Sequence, residues 1–312
     1  MSAEVGREGP FLALVGPTAS GKTEAGIQVA EALGAEILSV DSMLVYSGMD
    51  VGTAKPTAEQ RARVPHHLLD LVEPSEPFSV AAFQAAAREA ADEVRRRGPR
   101  PLLVGGSGLY YRAVVDDLEF PGTEPAVRGT IEDEAAALGP ERMYRRLASL
   151  DPVAASRIEP GNVRRTVRAL EVAAITGRPF SSYAEAWDRY DPERVTVAGV
   201  RLASDVLAGR VEGRATEMLA AGWLDEVRAL VSAGFGEWLT ASQAIGYAEL
   251  ARHLTGELDL EDAVRQTVTR TRNLARRQMA WFRRDPRIRW FDVGADGAAE
   301  VVDRIVAHLE TA

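Results

Sequence analysis

Four short apolar runs, Phe11–Val15, Ile37–Val40, Pro101–Val104 and Val195–Leu202, are bounded by polar or glycine-rich stretches and have the length of buried strands. A weaker fifth run covers His67–Val72. Between them, apolar positions recur at helical spacing over Lys22–Leu33, Val80–Arg97 and Leu207–Val231. Strand and helix patterns that alternate in this way predict an α/β fold, a parallel sheet with helices on both faces. From about Asp117 to Asp191 the strand signals stop. Helical patterns at Ala126–Leu138, Arg142–Leu150 and Asn162–Ile175 are separated there by Gly139-Pro140, Asp151-Pro152, Pro160-Gly161 and Gly177-Arg178-Pro179. The expected organisation is a core of residues 1–116 and 192–312 with a small helical domain, 117–191, inserted into it.

Composition narrows the classes. Of 312 residues, 46% are apolar and 27% charged, which excludes wholesale disorder. No apolar run approaches the ~20 residues of a membrane-spanning helix. Met1–Pro10 carries Glu4, Arg7 and Glu8 ahead of the first apolar run, unlike a secretory signal. There is no cysteine, so a disulfide scaffold, a cysteine nucleophile and a Cys-ligated zinc or iron–sulfur site are excluded, and a cytoplasmic location is the expectation. The net charge of −9 is unevenly spread: nine arginines stand against one acid, Asp285, between Val264 and Trp290. Such a stretch is either a surface for a polyanion or a solvated helix face balanced by acids elsewhere. Within it Arg270, Arg277 and Arg284 recur every seven residues, nearly one face of a helix, while Leu274, Gln278 and Trp281 share another.

The candidate chemistry begins at Gly16-Pro17-Thr18-Ala19-Ser20-Gly21-Lys22-Thr23, which fits the phosphate-loop pattern G-x-x-x-x-G-K-[ST] between an apolar strand and an amphipathic helix. The glycines let backbone N–H groups converge on phosphate oxygens at a helix N-terminus. Lys22 places an ammonium on the terminal phosphates, and the Thr23 hydroxyl can ligate Mg²⁺. Only two of the 37 basic residues are lysines, and one stands here, where a compact point charge is needed. Asp41 follows the second strand run, at the sheet edge where ligands of open parallel sheets bind. It can be a Mg²⁺ ligand, a general base or a turn residue. Gly105-Gly106-Ser107-Gly108 closes the third run at the same edge, either for close backbone approach with Ser107 as a hydroxyl donor or as a tight strand–helix turn.

Taken with Asp41–Tyr46, Gly48–Pro56, Pro65–Asp70, Gly105–Tyr110, Asn162–Glu171, Gln243–Tyr247 and Thr271–Arg284, the phosphate loop resembles the tRNA dimethylallyltransferase family in its bacterial form. These stretches run in family order over nearly the whole chain. The Asp-Ser-x-x-x-Tyr…Gly-Thr-Ala-Lys-Pro pair and the Arg-Arg-Gln-x-x-Trp-Phe-Arg segment are the specific ones. Ser107 stands where threonine is usual, Leu44 where glutamine is frequent and Ser47 where a basic residue is frequent.

The resemblance implies a P-loop NTPase-like fold whose insertion contacts tRNA. It implies transfer of a dimethylallyl group from dimethylallyl diphosphate to N6 of adenosine 37, beside the anticodon. Gly16, Pro17, Thr18, Ala19, Ser20, Gly21, Lys22 and Thr23 would hold the diphosphate, with Mg²⁺ on Thr23. Asp41, Lys22, Thr23 and Arg165 would be catalytic, Asp41 as general base. Asp41, Ser42, Met43, Leu44, Ser107, Arg164, Arg165, Arg168, Gln243, Arg272, Arg276 and Arg277 would contact tRNA. For Arg165 the alternative is surface pairing with Glu171. The implied partners are the tRNA anticodon stem-loop and dimethylallyl diphosphate, with no membrane and a monomer as the expectation.

Two rival classes share parts of this pattern. A small-molecule kinase also uses a phosphate loop, Mg²⁺, a carboxylate and a helical lid, but has no need of the basic C-terminal segment. A non-catalytic RNA-binding P-loop protein is the other. Tyr46, Tyr110 and Tyr111 are candidate stacking platforms for a flipped base, with core packing as the simpler expectation. His66 and His67, adjacent in an extended segment, point to opposite faces and are expected to pack or hydrogen-bond rather than share a metal.

Overall fold

The computed structural model describes residues 9–116, 118–294 and 297–311. The expected non-signal N-terminus at Met1–Glu8 and the insertion boundary at Asp117 lie outside the described residues. Six strands, β1 (Phe11–Val15), β2 (Ala35–Ser39), β3 (His66–His67), β4 (Arg100–Gly105), β5 (Val195–Leu202) and β6 (Ile288–Val293), form one sheet in the order β3-β2-β4-β1-β5-β6. Every pairing is parallel. Because both faces are covered, the inner strands are apolar at nearly every position. On β1, Ala13 and Val15 enter one core and Leu12 and Leu14 the other, as the period of two requires.

The helices are α1 (Lys22–Leu33), α2 (Ala58–Arg63), α3 (Val80–Arg97), α4 (Gly108–Val115), α5 (Pro125–Leu138), α6 (Pro140–Leu150), α7 (Pro152–Arg157), α8 (Val163–Thr176), α9 (Ser204–Ala220), α10 (Trp223–Ser232), α11 (Tyr247–Leu254), α12 (Leu260–Phe282) and α13 (Val302–Leu309). Among the described residues no helix is long and apolar enough to cross a membrane. Two compact units are distinguished: Met1–Val115 with Asp191–Ala312, and Asp116–Tyr190. The second has its own apolar centre, in which Ile131, Met143, Leu147, Val167 and Leu170 are buried together.

Three elements differ from expectation. The pattern over Leu207–Val231 is two helices, because the chain turns at Gly222 with φ +96°, a conformation that suits only glycine well. The run His67–Val72 keeps only its first residue in a strand. Leu68 and Asp70 take φ of +66° and +53°, and Val72 returns to bridge Tyr46. The basic stretch Val264–Trp290 is not one helix: α12 ends at Phe282 and a sixth strand begins at Ile288. That strand escapes the apolar-run criterion because Arg289 and Asp292 are exposed between buried Ile288, Phe291 and Val293.

Candidate active site

The phosphate loop connects β1 to α1. Gly21 caps the helix at φ +80°, and Ala19 also takes a positive φ, +61°. The loop is braced from three sides. Gln278 of α12 accepts the Thr18 N–H at 2.9 Å. The Arg210 Nε of α9 donates to the Ala19 carbonyl at 2.8 Å, and the Ser20 carbonyl accepts the Ala298 N–H at 3.2 Å. Several donors around the loop are uncommitted. The Ser20 hydroxyl is buried without a hydrogen-bond partner. Thr23 and Arg214 line the adjoining groove, and no hydrogen bond to the Thr23 hydroxyl or the Arg214 guanidinium is made among the described residues. Among the described residues Lys22 donates only to the Pro17 carbonyl, at 3.0 Å.

This is an electropositive, half-buried cradle. Burial lowers the Lys22 ammonium from its usual range to about 8; the Asp41 carboxylate opposes that shift and Arg214 adds to it. Burial also lowers Arg214, against the attraction of Asp41 and Glu217. An anion placed between Lys22 and Arg214 would relieve both strains. Arg210 and Arg214 stand four residues apart, so one face of α9 carries both to the loop.

Two hollows meet at the cradle. A polar groove of about 950 Å³ is lined by Lys22, Thr23, Lys55, Arg61, Arg210 and Arg214, among others. A smaller cavity of about 250 Å³ has an apolar wall from α9 and α12, with Thr18, Asp41, Arg214, Gln243, Thr267 and Gln278 among its polar residues. Ala19, Arg214 and Met218 line both. Asp41 enters the cavity from the end of β2, and its Oδ1 accepts the Met43 N–H at 3.0 Å. The carboxylate thus makes the turn and faces the cavity at once. Ser42, Met43 and Gln243 line the same cavity.

Other expected site residues lie elsewhere. Leu44 and Ser107 are not among the cavity's lining residues. The Leu44 carbonyl accepts the Asp70 N–H, and the Ser107 hydroxyl accepts the Tyr110 N–H at the start of α4. In the helical unit Arg168 is held by the Pro121 and Gly122 carbonyls and by buried Glu171. Glu171 also faces Arg128, so Arg165 does not pair with it; Arg164 and Arg165 are exposed on α8. On α12, Arg272 pairs with Glu212, and Arg276 donates to Asn273. Arg270, the first residue of the seven-residue row, is paired with buried Glu249. Arg277, Arg283 and Arg284 are exposed and make no ion pair among the described residues.

Tyr46, Tyr110 and Tyr111 are core residues: Tyr110 stacks at 4.2 Å on Phe83, and Tyr111 donates to buried Asp285 at 3.3 Å. His67 pairs with Glu36 at 2.7 Å and His66 turns to the Val64 carbonyl. Arg210, Arg214 and the wall of the apolar cavity had no place in the expectation. The arginine spacing within Leu207–Val231 was the available signal, but it resembles any solvated helix face.

A parallel α/β sheet whose first strand runs through a braced phosphate loop into α1 defines a P-loop NTPase-like fold. The comparisons are narrower. Residues 44–285 match the model of the IPP transferase family and residues 10–70 that of isopentenyl transferases. A tRNA dimethylallyltransferase of a Nocardioides species is 48% identical over 96% of this chain and 95% of its own. A crystallised tRNA isopentenylpyrophosphate transferase from Bacillus halodurans is 38% identical, with a TM-score of 0.69 over 97% of this chain and 98% of its own. A eukaryotic dimethylallyltransferase solved acting on tRNA is 25% identical, with a TM-score of 0.75 over 91% of this chain and 74% of its own. The chain belongs to the IPP transferase family. The small-molecule kinase reading is set aside with that assignment.

Proposed function

We propose that this chain transfers the dimethylallyl group of dimethylallyl diphosphate to N6 of adenosine 37 in the tRNA anticodon stem-loop, releasing diphosphate. One observation carries the reading: the donors Ser20, Lys22 and Thr23 line a polar groove, and Arg214 lines both that groove and the adjoining cavity that holds Asp41. An amphiphilic donor suits that junction, with phosphates in the cradle and hydrocarbon in the cavity. The bond between C1 and the bridging oxygen breaks, and its electron pair leaves with the diphosphate. Lys22, Arg214 and the loop N–H groups stabilise that charge. The N6 lone pair forms the new bond to C1, and the N6 proton passes to the Asp41 carboxylate, which also holds the base in line.

Mg²⁺ fits as part of the bound diphosphate. Among the described residues no three His, Asp or Glu side chains gather to hold a metal. The free Thr23 hydroxyl suits an ion that takes its remaining ligands from phosphate and water. When bound, that ion would add charge neutralisation at the leaving group. Exposed Arg277, Arg283 and Arg284 suit tRNA phosphates, and Arg164 and Arg165 offer a second cationic patch on the helical unit. A tRNA acceptor fits a cytoplasmic enzyme.

Incubation with labelled dimethylallyl diphosphate, unmodified tRNA and Mg²⁺ tests the proposal. Label should enter the RNA, and Asp41→Asn should slow transfer at least about 100-fold while leaving pyrophosphate binding in place. Label that stays off the RNA refutes the function. Loss of pyrophosphate binding in Asp41→Asn makes Asp41 a ligand of the diphosphate's metal instead of a base.

A further inference from the structure

Ala19, fourth in the phosphate loop, lines both hollows, so hydrocarbon attached to a loop-bound diphosphate must pass it. Its methyl belongs to a buried aliphatic cluster with Val211, Ala215 and Val268, none more than 8% exposed. Helix α9 supplies Val211 and Ala215 four residues apart, and α12 supplies Val268. Leu207 and Val264 pack against this cluster but do not reach the cavity. A wall without polar side chains can hydrogen-bond neither phosphate nor a purine edge; it favours hydrocarbon.

Space is short. The cavity measures about 250 Å³. It falls below the roughly 300–1,000 Å³ of sites for drug-sized ligands. It must also admit the acceptor base, because Asp41 and Ser42 line it. On the far side Val264 and Val268 line a separate groove of about 650 Å³, so the stop is formed by the buried side chains of the cluster themselves.

We propose that, given the transfer reaction above, on which this inference rests, the Ala19–Val211–Ala215–Val268 cluster is the chain-length gauge of the donor site. Val211 and Val268 end the room for hydrocarbon after one isoprene unit. The wall therefore accepts dimethylallyl diphosphate and rejects the geranyl homologue, although both present the same diphosphate to the loop.

The paired variant Val211→Ala with Val268→Ala removes four carbons from the wall, nearly the five of an isoprene unit. Equimolar dimethylallyl and geranyl diphosphates are offered with an unmodified anticodon stem-loop RNA, and the two products are weighed by mass spectrometry. The geranyl-to-dimethylallyl ratio should rise at least about 10-fold over the wild type. An unchanged ratio in a variant that still transfers dimethylallyl overturns the gauge. Ala215→Leu works in the opposite direction and decides the matter if the pair does not fold. It should slow dimethylallyl transfer about 10-fold while calorimetric pyrophosphate affinity stays at the wild-type value. Undiminished transfer, or equal loss of pyrophosphate affinity, also overturns the gauge. Wild-type protein that transfers neither group to RNA refutes the function itself, a separate result.

Discussion

The phosphate loop and the Gly48–Pro56 segment are both highly specific stretches of sequence, and they hold their polar groups in opposite ways. Around the loop, among the described residues, the side chains of Ser20, Thr23 and Arg214 make no hydrogen bond and Lys22 has only a backbone carbonyl. In the second segment every conspicuous polar group is engaged. The buried Lys55 ammonium donates to the Tyr46 carbonyl at 2.7 Å and to Asp70 at 2.5 Å, and it pairs with Asp50 at 2.5 Å. Glu226 accepts the N–H groups of Asp50, Val51 and Gly52 and the Tyr247 hydroxyl. The Trp223 ring fills the space beside Gly52 and Gly246, where a Cβ would stand 2.0 Å and 2.1 Å from it. A donor satisfied by the protein is architecture, and a donor held desolvated without a partner is prepared for a ligand. Lys22 and Lys55, the chain's only lysines, fall on either side of that line.

The largest expected difference between them lies in ligand binding. Lys22→Ala should slow transfer roughly 100- to 1,000-fold, because it removes charge stabilisation at the leaving group. Its lowered value near 8 adds a pH signature. The ammonium is charged below about 8 and neutral above, so affinity for a diphosphate ester should fall as pH rises through that value. A bound anion moves the fall upward. Lys22→Arg keeps its charge throughout this range and should abolish the fall, even if its longer fork weakens binding. Titration calorimetry from pH 6 to about 10 checks the sign; affinity that rises through this window in the wild type but not in Lys22→Arg removes Lys22 from the phosphate contact.

Lys55→Met should act on stability instead. It leaves the buried Tyr46 carbonyl without its donor and Asp70 with Arg61 alone, at a cost of about 1–3 kcal/mol. Burial alone would raise the Asp70 carboxyl, but the bonds from Lys55 and Arg61 outweigh it and hold it below its ordinary value. This part of the stability is therefore complete above the ordinary aspartate range and is lost as pH falls through the depressed value. Denaturant melts at pH 7 and in acid should show the Met variant less stable and less acid-sensitive. Pyrophosphate affinity of the folded fraction should be unchanged; a matching loss would place Lys55 in the phosphate site.

Legibility in the sequence follows the same division. Buried strands and the phosphate loop have local signatures, apolar runs and glycine spacing, and β1, α1, α3 and β5 fall where the pattern places them. Asp41 was legible as a strand-end carboxylate, but its choice between turn and cavity was not, because it does both. Strand β6 was hidden because charged Arg289 and Asp292 interrupt its apolar residues and face out at a sheet edge. Arg214 and the aliphatic wall were hidden because they become a site only through contact between α9 and the loop, about 190 residues earlier, as the bond from Arg210 to Ala19 shows. Long-range juxtaposition leaves no periodic trace.

The smallest effect separates the arginines of α12 and of the turn that follows it. Arg270 and Arg272 have acidic partners, Glu249 and Glu212, whereas Arg277, Arg283 and Arg284 do not among the described residues. If tRNA phosphates bind this helix, they bind the uncommitted group, because a phosphate must otherwise displace a carboxylate. Arg277→Ala and Arg284→Ala should each weaken tRNA binding a few-fold and lower the slope of log K against log salt by roughly 1. Arg270→Ala should leave that slope in place and lower the melting temperature, since Glu249 would remain buried at 3% exposure without its cation. Equal salt slopes in all three variants would show that the charge of α12 acts as a diffuse field rather than through individual contacts. A steeper loss in Arg270→Ala would mean that RNA competes for the carboxylate's partner, and the division between committed and uncommitted groups would then fail at this surface.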